Sequence, residues 1–450
     1  MIDSKLLEKY DVPCPRYTSY PTVPYWNDSP TEGEWIASLN RAFDKKNASW
    51  SLYIHIPFCE TLCTYCGCNT IITKAHSRED EYCELLLKEW SNYKEKVPSI
   101  KNAPIRQIHL GGGTPTFLSA ENLKRVLKPI LDEVPKANEH FEASIEVDPR
   151  RTRYDQIKAL REIGFNRISL GVQDFNFEVQ KLVNRIQPFD ITKNITDQCR
   201  DLGYESINFD LIYGLPRQTM ERMKHTVEKT LELRPDRIAL YSLAIVPWIK
   251  PAQRIFKDED LPEPADKRAL YEYSREELIK NGYIEIGMDH FALPTDSMAK
   301  AMETGELHRN FMGYMDFRTD VLLGLGVSSI SETPDCFHQN EKVFPVYKKR
   351  VNTGEVPTLR GHKLTEDDQF YREQILKFMT QFQVELHNDQ QKVDVESFLK
   401  ELIADELIYF DDLTMKVSEK GKPFLRNACM ALDKRLREDK PKSKVFSQSV

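Results

Sequence analysis

The chain has 450 residues, 40% of them hydrophobic and 30% charged, with 63 basic and 70 acidic side chains and a net charge of -7. That length exceeds one ordinary core and predicts two or three domains, or one barrel with additions. The charge balance lacks the basic footprint of a nucleic-acid binder, and no apolar run approaches the roughly 18 residues of a membrane span.

The N-terminus, MIDSKLLEKYDVPCPRY, has no apolar signal-peptide core, which predicts a cytoplasmic protein. Disulfides are rare in a reducing cytosol, and five scattered cysteines (Cys14, Cys83, Cys199, Cys336 and Cys429) read as small buried apolar residues. Residues 1–50 are rich in Pro, Tyr and Trp and show little periodicity, which predicts an arm laid over the body.

From about Ser51 to Ser331, β-branched runs alternate with amphipathic stretches. The runs are SLYIHIP at Ser51, IRQIHLGGG at Ile105, ASIEVDP at Ala143, RISLGVQ at Arg167, SINFDLIYGLP at Ser206, RIALYSLAIV at Arg237, EIGMDHFA at Glu285 and LLGLGVSSIS at Leu322. Between them lie helical patterns such as NLKRVLKPILDEV, which sets Leu123, Val126, Leu127 and Ile130 on one face. This alternation predicts an α/β fold with a parallel sheet. Three helix ends repeat one pattern, with Gly164, Gly203 and Gly282 each followed by an aromatic residue and a strand. A left-handed glycine would end each helix, and the repetition favours a (β/α) barrel.

Chemistry in such barrels gathers at the C-terminal ends of strands. The residues expected there are the thiol loop after the first strand, Gly111 to Thr114, Glu146, Gln173, Asp210 and Asp289. Beyond residue 358 the pattern changes to helices, a hairpin in LIYFDDLTMKVSEKG, and a final helix. It predicts a small, mostly helical, winged-helix-like domain over 358–450. Its 16 basic and 17 acidic residues argue for packing rather than DNA reading.

The thiol loop, YIHIPFCETLCTYCGCN, carries Cys59, Cys63, Cys66 and Cys68 with spacing C-x3-C-x2-C-x-C. A disulfide clip, a zinc knuckle and an iron–sulfur cradle are all possible uses of four thiols. A structural zinc site usually splits its ligands between two knuckles, and no second knuckle is present. Three close cysteines suit the adjacent corners of a cubane and leave one iron open.

C-x3-C-x2-C after the first strand of a βα barrel resembles the radical S-adenosylmethionine superfamily. Further stretches resemble one of its families, the oxygen-independent coproporphyrinogen III oxidases: CPRYTSYPT, GGGTPTFL, SIEVDPR, GVQDFN, LVNRIQ, FDLIYGLP, GMDHFA, LHRNFMGY, LGVSSIS and GKPFLRNACMALDKRLR. The resemblance covers all but about ten residues at each end.

That resemblance implies a partial (β/α) barrel over 51–357. It implies a [4Fe–4S] cluster on Cys59, Cys63 and Cys66, with Cys68 outside the ligand set. Two S-adenosylmethionine molecules are implied, the first at Tyr53, Gly112, Glu146 and Ile330. The second falls at Tyr65, Gly113, Thr114, Gln173, Arg185, Asp210 and Ala244. Arg185 is suited to a carboxylate partner. The implied reaction turns two propionates of coproporphyrinogen III into vinyl groups, with an electron donor of flavodoxin or ferredoxin type. Arg16, His308 and Arg309 are motif candidates for substrate carboxylates, and the segment Arg16 to Thr22 is a candidate lid. A monomer is the default. The competing readings are a heme chaperone-like relative, a heme-modifying radical enzyme and a structural zinc protein. Cys68, PRYTSYPT and HRNFMGY favour the oxidase over the chaperone.

Overall fold

The computed structural model describes residues 4–137, 141–439, 441 and 446–449. Six parallel strands follow one another in sequence and in space: β1 (Trp50–Ile56), β2 (Ile105–Gly112), β3 (Glu142–Val147), β4 (Arg167–Gln173), β5 (Ser206–Tyr213) and β6 (Arg237–Ser242). They form the middle of a twelve-stranded sheet that stays open at both edges, a partial (β/α) barrel. Helices α3 (Arg78–Lys96) and α4 (Ala120–Asp132) pack against each other on its outside. Ser119 caps α4 by accepting the Asn122 amide, and its Leu123, Val126, Leu127 and Ile130 are buried as the spacing predicts. Gly164, Gly203 and Gly282 all take positive φ at helix ends, and Phe165, Tyr204 and Tyr283 after them are buried.

Two strands predicted as parallel differ. EIGMDHFA forms an antiparallel hairpin of β7 (Ile284–Gly287) and β8 (His290–Ala292), and β8 pairs antiparallel with β6. Met288 sits at φ 43° in the turn, so Asp289 lies in a reversal rather than at the end of a parallel strand. LLGLGVSSIS splits into β9 (Val321–Leu325), parallel to β1, and β10 (Ile330–Thr333), which turns back on it. Antiparallel β11 (Cys336–Asn340) and β12 (Thr358–Lys363) complete that edge. A period-two apolar pattern fixes strand character but carries no information on direction.

The first 50 residues are more ordered than an arm. A capping box of Thr31 and Glu34 starts helix α2 (Glu32–Phe43), whose Trp35, Leu39, Ala42 and Phe43 enter the main core. Residues 6–20 join a second core built from the C-terminal part. There the predicted hairpin pairs Ile408–Asp411 with Thr414–Val417, and Gln383–Glu385 adds a third strand. No helix among the described residues is long and apolar enough to cross a membrane.

The turn from β9 into β10 hangs on one buried acid. Glu89 on α3 accepts the Gly326 amide (2.8 Å), the Tyr347 hydroxyl (2.6 Å) and the Asn340 side-chain amide (2.5 Å). Burial pushes its carboxyl up to about 7 against these donors. The folded-state value is raised, so the stability it contributes is complete below the unfolded value of about 4.5 and is lost as pH rises through about 7. Glu89→Gln cannot ionise. Its melting-temperature deficit against the parent is therefore expected to shrink between about pH 5 and about pH 8 in thermal denaturation. A deficit that stays constant over that range would show that Glu89 does not titrate there.

Candidate active site

The C-terminal ends of β1 to β6 surround a cavity of about 390 Å³. Cys59, Cys63, Cys66 and Cys68 line one side, with Tyr65, Gly112, Gly113, Thr114, Glu146, Gln173, Arg185 and Asp210 around them. The loop is held by backbone. Gly113 donates its amide to Ile56 (2.8 Å), and Thr114 donates to Phe58 (2.8 Å). A Cβ on Gly113 would lie 2.8 Å from the Pro57 and Phe58 backbones, so this approach requires glycine.

Each thiol has a different setting. Cys59 Sγ lies 3.3 Å from the Thr114 hydroxyl, and burial pushes its thiol up to about 11. Cys63 Sγ accepts from Arg150 and Arg185, both at 3.7 Å. The Cys66 thiol is pushed down to about 6, first by its hydrogen bond with Cys68 and further by the Lys250 and Arg185 charges. Among the described residues, no three His, Cys, Asp or Glu side chains converge on a single ion position. All four thiols nonetheless line one shared space, and Cys59, Cys63 and Cys66 among them carry the C-x3-C-x2-C spacing. That donor set fits a cluster bound at its corners.

Asp148 organises the cationic wall. It pairs with Arg150 (2.7 Å) and Arg185 (3.2 Å). Burial opposes its charge, but the two guanidiniums outweigh this and hold its carboxyl below the usual range. Arg185 also donates to the Gly171 carbonyl (2.5 Å), and its Nε is buried without a partner. Gln173 holds φ 70° at a bulge in β4, the kind of backbone strain that aims a side chain.

Two further carboxylates line the same cavity. Glu146 receives His109 Nε2 and the Gly112 amide, each at 3.4 Å. Desolvation raises its carboxyl, but these donors hold it below the ordinary value. Asp210 takes Ser169 (3.0 Å) and Asn208 (2.9 Å), and desolvation followed by the Glu146 charge pushes it up to about 6. His55 is kept neutral by burial. Its Nε2 faces the Asn69 carbonyl (3.0 Å), so Nε2 carries the proton and Nδ1 accepts from Tyr53 (3.0 Å). Tyr53 also stacks on His109. His55, His109, Asp148 and Arg150 were missed in the sequence, although Asp148 and Arg150 lie in the quoted SIEVDPR.

Other predicted residues stand apart. Ala244 and Ile330 do not line this cavity; Ile330 faces Gly324, the register partner of Tyr53 on β9. Arg16 lines a neighbouring cavity and reaches the Ser242 carbonyl at 3.5 Å. Arg309 donates to the Arg16 carbonyl (2.7 Å) and covers the ring of Tyr314, which lines the main cavity. His308 is buried elsewhere and pushed down to about 3, first by burial and then by the Arg318 and Arg372 charges.

Residues 53–230 match the family model of the Radical SAM superfamily. The oxygen-independent coproporphyrinogen III oxidase of Escherichia coli K12 is 39% identical over 457 residues, spanning 100% of this chain and 98% of that protein. Its namesake from Synechocystis is 38% identical, spanning 99% and 98%. The solved coproporphyrinogen III oxidase of Escherichia coli, a radical SAM enzyme, superposes with a TM-score of 0.90 at 38% identity, covering 97% of this chain and 99% of that one.

The chain belongs to the oxygen-independent coproporphyrinogen III oxidase family. Membership of the radical SAM superfamily implies a [4Fe–4S] cluster and S-adenosylmethionine. In this family member the glycine strip and thiol loop form one backbone unit. Gly113→Ala is therefore expected to cost about 1–3 kcal/mol of stability by overpacking. It should also abolish S-adenosylmethionine binding measured by calorimetry. Unchanged binding would show that the close approach is dispensable.

Proposed function

We propose that this protein converts two propionate side chains of coproporphyrinogen III to vinyl groups without oxygen, giving protoporphyrinogen IX. The observation that carries the reading is one cavity holding three thiols, the glycine strip and Glu146, in a chain 38–39% identical to named oxidases over nearly its whole length. Cys59, Cys63 and Cys66 would hold the cluster, and the open iron would take S-adenosylmethionine. When bound, these groups supply a 5′-deoxyadenosyl radical for hydrogen abstraction from the propionate β-carbon. Loss of CO2 from the substrate, with one electron passed to an external one-electron acceptor, would then leave the vinyl group.

The chain's own residues orient and charge-balance the site. Arg150 and Arg185 donate to Cys63 Sγ and orient it toward the cavity's cationic wall. Glu146, kept ionised, is suited to accept ribose hydroxyls, and Gly112 and Gly113 admit close backbone approach. Two S-adenosylmethionine molecules are proposed, the second beside Tyr65, Thr114, Gln173, Arg185 and Asp210. Arg185 already serves Asp148, so a second carboxylate would have to share it. Tyr53 and Ile330 complete the first site, and Ala244 the second. Arg16 would meet a substrate carboxylate from the neighbouring cavity, which Ser242 and Asp289 line, and Arg309 from the pocket it lines with His308 and Tyr17. The division at residues 50 and 357, the lid role of Arg16 to Thr22, a cytosolic monomer and a flavodoxin- or ferredoxin-type donor belong to the same proposal.

Anaerobically reconstituted protein given coproporphyrinogen III, S-adenosylmethionine and dithionite is expected to release CO2 and form vinyl product. Absence of both would overturn the reading in favour of a chaperone-like relative. Single substitutions of Cys59, Cys63 or Cys66 by Ala should each remove bound iron and the visible absorption band. Cys68→Ala should keep both, and loss of iron in that variant would place Cys68 among the ligands.

A further inference from the structure

The mouth of the thiol cavity carries an unusual surface. Leu62, Ile72, Ile186, Trp248, Ile249 and Ile255 are each between 39% and 65% exposed. They come from three segments bonded edge to edge around the thiol loop. Asn184 Nδ2 donates to the Leu62 carbonyl (2.8 Å), and the Thr64 amide donates to Val183 (3.2 Å). Lys250 Nζ donates to the Cys68 carbonyl (2.9 Å), and Gln253 Nε2 to Tyr65 (3.3 Å). Exposed apolar side chains gathered in this way mark an interaction surface rather than ordinary scatter.

The charge of the three segments is opposite to that of the chain. At the surface, residues 59–76, 181–187 and 244–256 carry Lys74, Lys181, Lys250 and Arg254 against Glu60, so 4 − 1 = +3 in a chain of net charge -7, while Arg185 is buried and paired with Asp148. Glu60 is itself paired with Arg151 at 2.9 Å. Among the described residues, Lys74, Lys181, Lys250 and Arg254 have no carboxylate within 4.0 Å. These four leave a positive field open to an acidic partner.

Cys63 is buried, whereas Gly67, Cys68 and Asn69 are exposed. The thiol loop therefore comes closest to solvent at its Cys66 end, between Ile72 and the segment of Trp248 to Ile255. We infer that this face docks an acidic one-electron carrier protein. The inference rests on the proposed function, which requires one external electron for each cleavage of S-adenosylmethionine. The carrier is oxidised by one electron, and the group held by the three thiols is reduced by one. Small apolar contacts rimmed by steering charges suit a transient electron-transfer complex, which buries under about 1,200 Å².

The test uses holoenzyme and the double variant Lys181→Glu/Arg254→Glu, neither residue being part of the cofactor site. An acidic flavodoxin is the probe. Oxidised flavodoxin should bind the variant about tenfold more weakly than the parent, and the salt dependence of binding should flatten. Reduced flavodoxin should bleach the visible band of the variant about tenfold more slowly, while dithionite bleaches both proteins equally. Coproporphyrin III binding, read by fluorescence, should not change. Equal flavodoxin affinity and equal flavodoxin-driven rates in the two proteins would overturn the inference. So would a loss confined to coproporphyrin binding, which would assign the face to substrate. A parent that dithionite cannot bleach would defeat the proposed function instead, and the flavodoxin affinities would still decide the surface.

Discussion

The approach of the Pro57–Phe58 backbone to Gly113 is the contact on which the site depends. It extends the pairing of β1 and β2 past the sheet edge, through the bonds of Gly113 to Ile56 and Thr114 to Phe58. The thiol loop thereby inherits the rigidity of the parallel sheet instead of the mobility of a free loop. Thr114, fixed by the same bonds, sits beside Cys59, and Tyr53 and His55 are set by strand register on β1. His55 ties back to Asn69, so both ends of the loop are anchored to one strand.

Around that anchor the charges are divided. Arg150 and Arg185 gather on Asp148 and reach Cys63, while Glu146 and Asp210 line the same cavity with partners of their own. The division matters because each group sets the protonation of its neighbours. Glu146 stays ionised through His109 and Gly112, and its charge is one reason Asp210 is pushed up. A thiolate-bearing loop beside two carboxylates would repel itself without the arginines. Their bonds to sulfur, carboxylate and carbonyl fix this wall even though each single bond is modest.

The N-terminal segment connects the two cores. Leu6, Leu7, Tyr10, Cys14, Tyr17 and Tyr20 pack with the C-terminal elements, while α2 packs against the main sheet. Tyr17 bonds Asp433, and Arg426 donates to Pro15, so the stretch before Thr22 is clamped rather than loose. Arg16 bonds the end of β6, at Ser242.

The sequence by itself determined the six parallel strands, the helix-ending glycines, the thiol spacing and the polar residues at strand ends. These are local: periodicity, left-handed glycines and C-x3-C-x2-C are written in consecutive residues. Strand direction after Ser242 was not legible, because an alternating pattern fits either orientation and the turns at Met288 and between β9 and β10 reverse the chain. Helix α2 was hidden by its Trp- and Pro-rich surroundings, although Thr31 and Glu34 spelled its cap. Asp148, Arg150, His55 and His109 were decided by tertiary structure alone. Beyond the local Asp148–Arg150 pair, their roles come from partners 35 to 87 residues away or from a ring tautomer set by the Asn69 carbonyl 14 residues on. The same holds for the separation of Arg16 and His308 from the thiol cavity: spacing along the chain fixes which residues are present, and only the packing of the sheet fixes which ones share a space.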